Sequence, residues 1–202
     1  MLFSSNYFQT AMAALYIVDQ IFEKQDYTPL PLPKGEYESC RFESCQFQES
    51  DLKNIRFTDC VFKDCNLSLA KLAGVTFRDV VFEDCKLMGL HFDVCNDLLF
   101  SVSFTRCMAD LCSFYRRKMK KTRFENCSLK ECDFSEADLS QSVFADCNLE
   151  NAVFENTHLE KADLRTAFNY RIDPEKNHLK KARLSVQGLP GLLEKYDLSV
   201  EN

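Results

Sequence analysis

A repeat solenoid is the fold class this chain predicts, and three observations predict it. From Thr122 to Ala167 a large apolar residue recurs at every fifth position, with a small residue two places before it. All eleven cysteines (40, 45, 60, 65, 85, 95, 107, 112, 127, 132 and 147) stand in that small-residue column. The same frame extends over most of the 202 residues. Neither a helix, with its period of 3.6, nor a strand, with its period of 2, produces a strict period of five. The five-residue unit is therefore an internal repeat.

In chain order, residues 1–15 form an N-terminal tail expected to be flexible. Residues 1–14 carry no repeat and little charge. No basic n-region precedes an apolar core, so no signal peptide is expected. No apolar run approaches the roughly 18 to 20 residues of a membrane span. The functional chain begins either at Met1 or near Met12, with the segment before it dispensable. From Ile17 the frame extrapolates as Ile17, Phe22, Tyr27 and Leu32, but Gln20 and Gln25 occupy the small column and Pro29, Pro31 and Pro33 interrupt it. Proline is confined to sheet edges, so residues 16–34 read as an irregular first coil that caps the stack and shields its open edge.

Residues 35–92 hold the first register. Calling the large apolar position i, Tyr37, Phe42, Phe47, Leu52, Phe57, Phe62, Leu67, Leu72, Phe77, Phe82, Leu87 and Phe92 follow without a gap. Asp97 then falls where an apolar residue belongs, and the frame resumes at Phe104, two residues out of phase. Residues 93–103 are accordingly a frame slip, read as a kink, bulge or short loop. Its run Leu98-Leu99-Phe100 is apolar filler or a binding knuckle, the former preferred. Residues 104–167 hold the second register, in which Ala109 alone is undersized. Arg117 sits at an inward i−2 position, where a lone buried guanidinium is costly unless paired. The coil is expected to open there, letting Arg117 reach solvent beside Arg116, Lys118, Lys120, Lys121 and Arg123. That basic cluster is a second candidate surface, for nucleic acid or an acidic partner, against the simpler reading of a solvated charged face.

The cysteines read as small buried apolar residues. Their spacing is never closer than five, His91, His158 and His178 are scattered, and their number is odd. Zinc sets need close ligand pairs, so no metal is expected, and reduced thiols in a cytoplasm are. The five glycines form no phosphate-cradling loop. No histidine stands at useful spacing for nucleophilic catalysis. An enzyme is not expected, nor is a cofactor.

Stretches such as Ala137-Asp138-Leu139-Ser140, Cys147-Asn148-Leu149 and Ala162-Asp163-Leu164-Arg165 match the A(D/N)LXX pattern of the pentapeptide-repeat family, which the chain resembles over about residues 35–167. The resemblance implies an all-β fold: a right-handed quadrilateral β-helix with four repeats per coil. It also implies i and i−2 inward, i−1, i+1 and i+2 outward, and coils stacked at about 4.8 Å. Residues twenty apart then lie one above another. Phe42, Phe62 and Phe82 stack beside Phe57 and Phe77, whereas in the second register phenylalanines ten apart face each other across the coil. The change of packing is expected at the slip. Outward, stacking sets Asp59 over Asp79 and Asp64 over Asp84, with Glu43 and Glu83 nearby. These six are the candidate partner-binding acidic faces.

Residues 168–202 form a degenerate last coil and a cap. Asn169–Asn177 is a detour within one coil, and Leu179 and Leu184 keep the register. Gly188 to Tyr196 reads as a short helix whose Leu189, Leu192, Leu193, Tyr196 and Leu198 exceed what capping needs. The resemblance implies a C2 homodimer through this cap. Roughly eight coils would give a rod of about 40 Å per chain. Length, the mid-chain slip, the cap, and the segments from Asn169 to Asp173 and Lys180 to Ser185 resemble the quinolone-resistance (Qnr-type) and the albicidin- and microcin B17-immunity members. The absence of a long loop inserted among the repeats departs from the Qnr type and argues against strong quinolone protection. The resemblance implies an acidic rod that engages DNA gyrase or topoisomerase IV as a DNA mimic. The net charge of −6 argues against direct nucleic-acid binding and is compatible with that role. A structural or scaffolding protein with an unrelated partner is the alternative.

Overall fold

The computed structural model describes residues 15–198. Its short strands recur at the predicted interval: β1 (Leu15–Val18), β2 (Ile21–Glu23), β3 (Gly35–Glu38), β4 (Arg41–Glu43), β5 (Arg56–Thr58), β6 (Val61–Lys63), β7 (Thr76–Arg78), β8 (Val80–Glu83), β9 (Val102–Thr105), β10 (Arg123–Glu125) and β11 (Val143–Ala145). They form two parallel sheets on adjoining sides, a four-stranded one of β1, β3, β5 and β7 and a seven-stranded one from β2 to β11. The other sides are tied by single parallel bridges, such as Asn66 to Lys86 and Ser113 to Asp133. The chain is thus a four-sided parallel β-solenoid. Its i residues from Tyr37 to Leu164 are all buried.

A backbone device closes each side. In regular repeats the residue at i+2 is left-handed: Asn54, Asp59, Asp64, Asn126 and Lys161 are examples, and the non-glycine residues with positive φ all lie between 50° and 66°. This conformation costs an ordinary L-residue about 1–2 kcal/mol, least for Asn, Asp and Gly. Leu99 keeps it at the last i+2 position of the first register, whereas Asn169 and Asp197 adopt it off the frame, and each of these two marks an interruption.

Inside, Phe22, Phe42, Phe62, Phe82, Phe104, Phe124 and Phe144 form one ladder, with ring centroids 4.7–5.4 Å apart. The ladder crosses the slip unbroken, because Phe82 registers with Phe104. Its flank changes there. Tyr37, Phe57 and Phe77 stack beside it before the slip. A second column, from Phe92 at the edge of the slip through Phe114 and Phe134 to Phe154 beyond it, stacks across the coil, meeting the ladder edge-on, as between Phe124 and Phe134 at 6.1 Å and 82°.

The i−2 column does more than fill space. The thiols of Cys60, Cys65 and Cys85 donate to the carbonyls of Tyr37, Phe42 and Phe62 in the preceding coil, at 3.3, 3.2 and 3.3 Å. Ser50, Ser142 and Thr157 donate their hydroxyls likewise to Tyr27, Met119 and Phe134. Cys, Ser and Thr therefore share a donor as well as a size.

The first coil is more regular than expected. Ile17 pairs with Tyr37 and Phe22 with Phe42, Leu32 is buried, and Leu15, Tyr16 and Ile21 are exposed. The N-terminal tail lies outside the described residues apart from Leu15. At the other end the register holds through the detour, with His158 opposite His178 and Asp163 opposite Arg183. The expected helix is a single α-turn, α1 (Pro190–Leu193), between 3-10 turns at Val186–Gly188 and Glu194–Tyr196.

Phe104→Ala, in the middle of the ladder, is expected to cost about 3–5 kcal/mol in equilibrium denaturation. Leu111→Asn, at an exposed left-handed position, is expected to gain roughly 0.5–1 kcal/mol. A gain for Phe104→Ala or a loss for Leu111→Asn would contradict the assignment of these positions.

Candidate partner-binding surfaces

The four candidate aspartates lie at corners of the rod, and their residue type has a local cause. Asp59, Asp64, Asp79 and Asp84 are all left-handed i+2 residues with φ of 50–54°. Asp59 and Asp79 follow β5 and β7, and Asp64 and Asp84 follow β6 and β8, whose registers set each pair one coil apart. Together they mark the corners of a rectangle on the β6–β8 side. Val61, Lys63, Val81 and Glu83 face outward within it, half-buried. Glu43, Lys63 and Glu83 share one column, so a lysine separates the two predicted glutamates.

Arg106 ends the acidic column. It donates from Nε and Nη2 to the two oxygens of Asp84, both at 2.7 Å, and that hydrogen bonding holds the Asp84 carboxyl below its usual range. Glu43 pairs with Arg41 at 3.0 Å, and Asp79 lies 3.8 Å from Arg78. Asp59, Asp64 and Glu83 make no ion pair among the described residues. The acidic surface is a patch spanning two coils, bounded by basic residues.

The basic alternative is smaller than the sequence suggests. Arg117 does not reach solvent: it is 2 % exposed. Its Nη1 and Nη2 donate to the Cys95 carbonyl at 2.9 and 2.7 Å, and Nη1 also donates to Asp97 Oδ1 at 2.7 Å. The guanidinium carbon lies 4.7 Å from the centre of the Phe100 ring. The two extra residues of the slip thus let the coil bulge, and Arg117 fills the bulge from within. Phe100, half-buried against Phe92, takes the inward place that Asp97 vacates, while Leu98 and Leu99 are exposed. Arg116 is held by Glu136 at 2.7 Å and Arg123 by Glu125 at 3.1 Å. Only Lys118, Lys120 and Lys121 of that cluster are exposed without an ion pair among the described residues.

The cap presents an apolar surface. Val186, Leu189, Leu193, Tyr196 and Leu198 are exposed. Leu192 differs from the expectation, because it packs on the chain's own core. The cap sits tightly on the last coil: a Cβ on Gly191 would lie 2.0 Å from the Tyr170 carbonyl oxygen, and one on Gly188 1.7 Å from the Tyr170 hydroxyl. The Ile172 amide donates to the Gly191 carbonyl at 3.0 Å. A cleft of about 470 Å³ lies beside this contact, lined by Asn169, Tyr170, Arg171, Pro190 and Leu193 among others.

All eleven cysteines are free and buried. Burial pushes the thiols of Cys60 and Cys95 up to about 12, which keeps them protonated near neutrality and poor as nucleophiles. The histidines, by contrast, are not all scattered. His158 and His178 are twenty residues apart, hence neighbours in one column. No helix among the described residues is long and apolar enough to cross a membrane.

Arg117→Ala is expected to destabilise the chain by about 3–5 kcal/mol, since it strands the Cys95 carbonyl and empties the bulge. Asp97→Ala, at an 86 % exposed side chain, is expected to cost no more than about 1 kcal/mol. Equal losses in thermal denaturation would show that the carboxylate, rather than the carbonyl and ring, holds the cation.

Comparison with known proteins bears directly on the repeat. A family model described as a pentapeptide repeat region matches residues 36–114 and 117–185. No curated protein matches the chain. Among solved structures, full-length QnrB1, a plasmid-mediated fluoroquinolone resistance protein, is 17 % identical over 91 % of this chain and 100 % of its own, with a TM-score of 0.45. HetL of the cyanobacterium Nostoc, a pentapeptide repeat protein involved in heterocyst differentiation regulation, is 14 % identical over 87 % and 86 %, with a TM-score of 0.35. Rfr23 of the cyanobacterium Cyanothece is 20 % identical over 51 % and 86 %, with a TM-score of 0.23.

Proposed function

This chain belongs to the pentapeptide-repeat family, and from that premise we propose that it is a non-enzymatic, acidic rod that binds a type II topoisomerase, DNA gyrase or topoisomerase IV, in place of DNA. The observation that carries the reading is the β6–β8 patch cornered by Asp59, Asp64, Asp79 and Asp84, on a chain of net charge −6. A DNA-binding groove is positive because it neutralises phosphates, and an acidic protein surface of fixed geometry competes for the same field. In this reading the rod docks on the DNA gate, displaces DNA or destabilises a poison-trapped cleavage complex, and so gives protection or immunity. The free, buried cysteines fit a reducing, cytoplasmic setting.

The rod works as a C2 dimer. The exposed Leu189, Leu193, Tyr196 and Leu198 cluster on the cap, and an isologous contact buries each copy's patch on the other. Leu193→Asp is expected to give a folded monomer by sedimentation equilibrium. A monomeric parent chain at tens of micromolar would end the dimer reading.

A scaffolding role for an unrelated partner is the second reading. The interruption of the acidic columns by Lys63 and Arg106 is the observation in its favour. Supercoiling by gyrase and topoisomerase IV, with and without a poison, separates the two across a titration of the protein. Rescue or inhibition at sub-stoichiometric to micromolar levels is expected. Reversal of all four aspartates to lysine is expected to abolish it while circular dichroism stays unchanged. No effect at high excess on either enzyme would sink the topoisomerase reading.

A further inference from the structure

The histidine pair is the chemistry that the acidic-rod reading leaves unused. Parallel registration sets His158 directly beside His178. The Leu159 amide donates to the His178 carbonyl at 2.8 Å, and the His178 amide to the Thr157 carbonyl at 3.0 Å. Their imidazole rings stack with centroids 4.3 Å apart and planes 16° from parallel. Two residues on, Glu160 points out of the same side, its Oε1 3.4 Å from His158 Nδ1. One donor atom from each of the three lies within 4.8 Å of the others.

We propose that His158, Glu160 and His178 form a binding site for a divalent transition-metal ion of the zinc, nickel or copper class. Two imidazoles and a carboxylate are the donor set those ions favour over magnesium or calcium. Bonds of about 2.0–2.2 Å lie in the plane of each imidazole, so binding requires the two rings to turn out of their stack as the donors draw together. The half-exposed His158 and Glu160 side chains have the freedom to do so, and an open position remains for water. The Ser140 hydroxyl donates to the other Glu160 oxygen at 3.2 Å, which orients the carboxylate as an outer partner does at metal centres. Asp138 stands next in the column before His158, within one coil of the site. Because His158 and His178 belong to successive coils, a bound ion would pin the coil that leads into the cap onto the coil before it.

Calorimetric titration of the tag-free, reduced full chain with zinc chloride and with nickel chloride tests the assignment. One ion per chain is expected. A rise in melting temperature of roughly 5–10 °C is expected when free metal exceeds the dissociation constant a hundredfold. His158→Asn and His178→Asn are each expected to weaken binding at least about tenfold, the loss that outer partners alone can cause, and Glu160→Gln to weaken it less. All three side chains face outward, so circular dichroism should be unchanged. Absence of binding at millimolar metal would overturn the proposal. So would binding that survives undiminished in the double histidine variant, since it would lie at groups other than this pair.

Discussion

The length of the coil is the constraint on which this structure depends. Backbone amides that leave one coil find their acceptors in the coil before or after it, and that pairing holds only if equivalent residues recur at a fixed interval. A coil one residue longer or shorter would turn the inward column outward, because neighbouring positions on a strand face opposite ways. The left-handed residue at i+2 sets the interval by turning the chain after every fifth residue. The phenylalanine ladder then rewards it, since each ring can stack only on a ring at the same place in the next coil. The thiol and hydroxyl donors at i−2 add a third tie between coils.

The slip shows how the constraint is relaxed without being lost. Two added residues are confined to one stretch, residues 93–101, and the four-stranded sheet ends at β7 as a result. The seven-stranded sheet and the ladder pass by on another side with their register intact. The cost of the bulge is an inward hole, and Arg117 fills it. Its long side chain reaches the Cys95 carbonyl, which no small i−2 residue could do, and Phe100 covers its face.

The solenoid was legible in the sequence because i and i−2 are read locally, five residues at a time, and every coil repeats the statement. What lay at longer range was not. The sequence points Arg117 to solvent because its partner, the Cys95 carbonyl, is a backbone group that no sequence pattern displays. The five-residue period does not display the turn role of i+2, so Asp59, Asp64, Asp79 and Asp84 read as charge alone, although Asn54, Asn126 and Asn156 at the same column point to conformation. Spacing in the chain scattered the histidines, whereas counting in twenties sets His158 beside His178. Leu192 groups in the sequence with the dimer-interface candidates of the cap, because a single α-turn is too short for periodicity to separate its faces.

Charge on this surface therefore has two layers of cause. Aspartate at a left-handed corner is a conformational choice first, and only an arrangement of several such corners, free of counter-ions, makes an electrostatic feature. Asp59 and Asp64 meet that description, while Arg106 draws Asp84 into a pair. The central functional claim is that this patch occupies a topoisomerase surface that DNA would otherwise occupy. Competition binding tests it most directly: the fluorescently labelled chain is bound to gyrase, and a DNA duplex is titrated in at constant ionic strength. Full displacement is expected, with an apparent dissociation constant for the protein that rises in proportion to free duplex. A stable ternary complex in which DNA and the chain bind with undiminished affinity would contradict it.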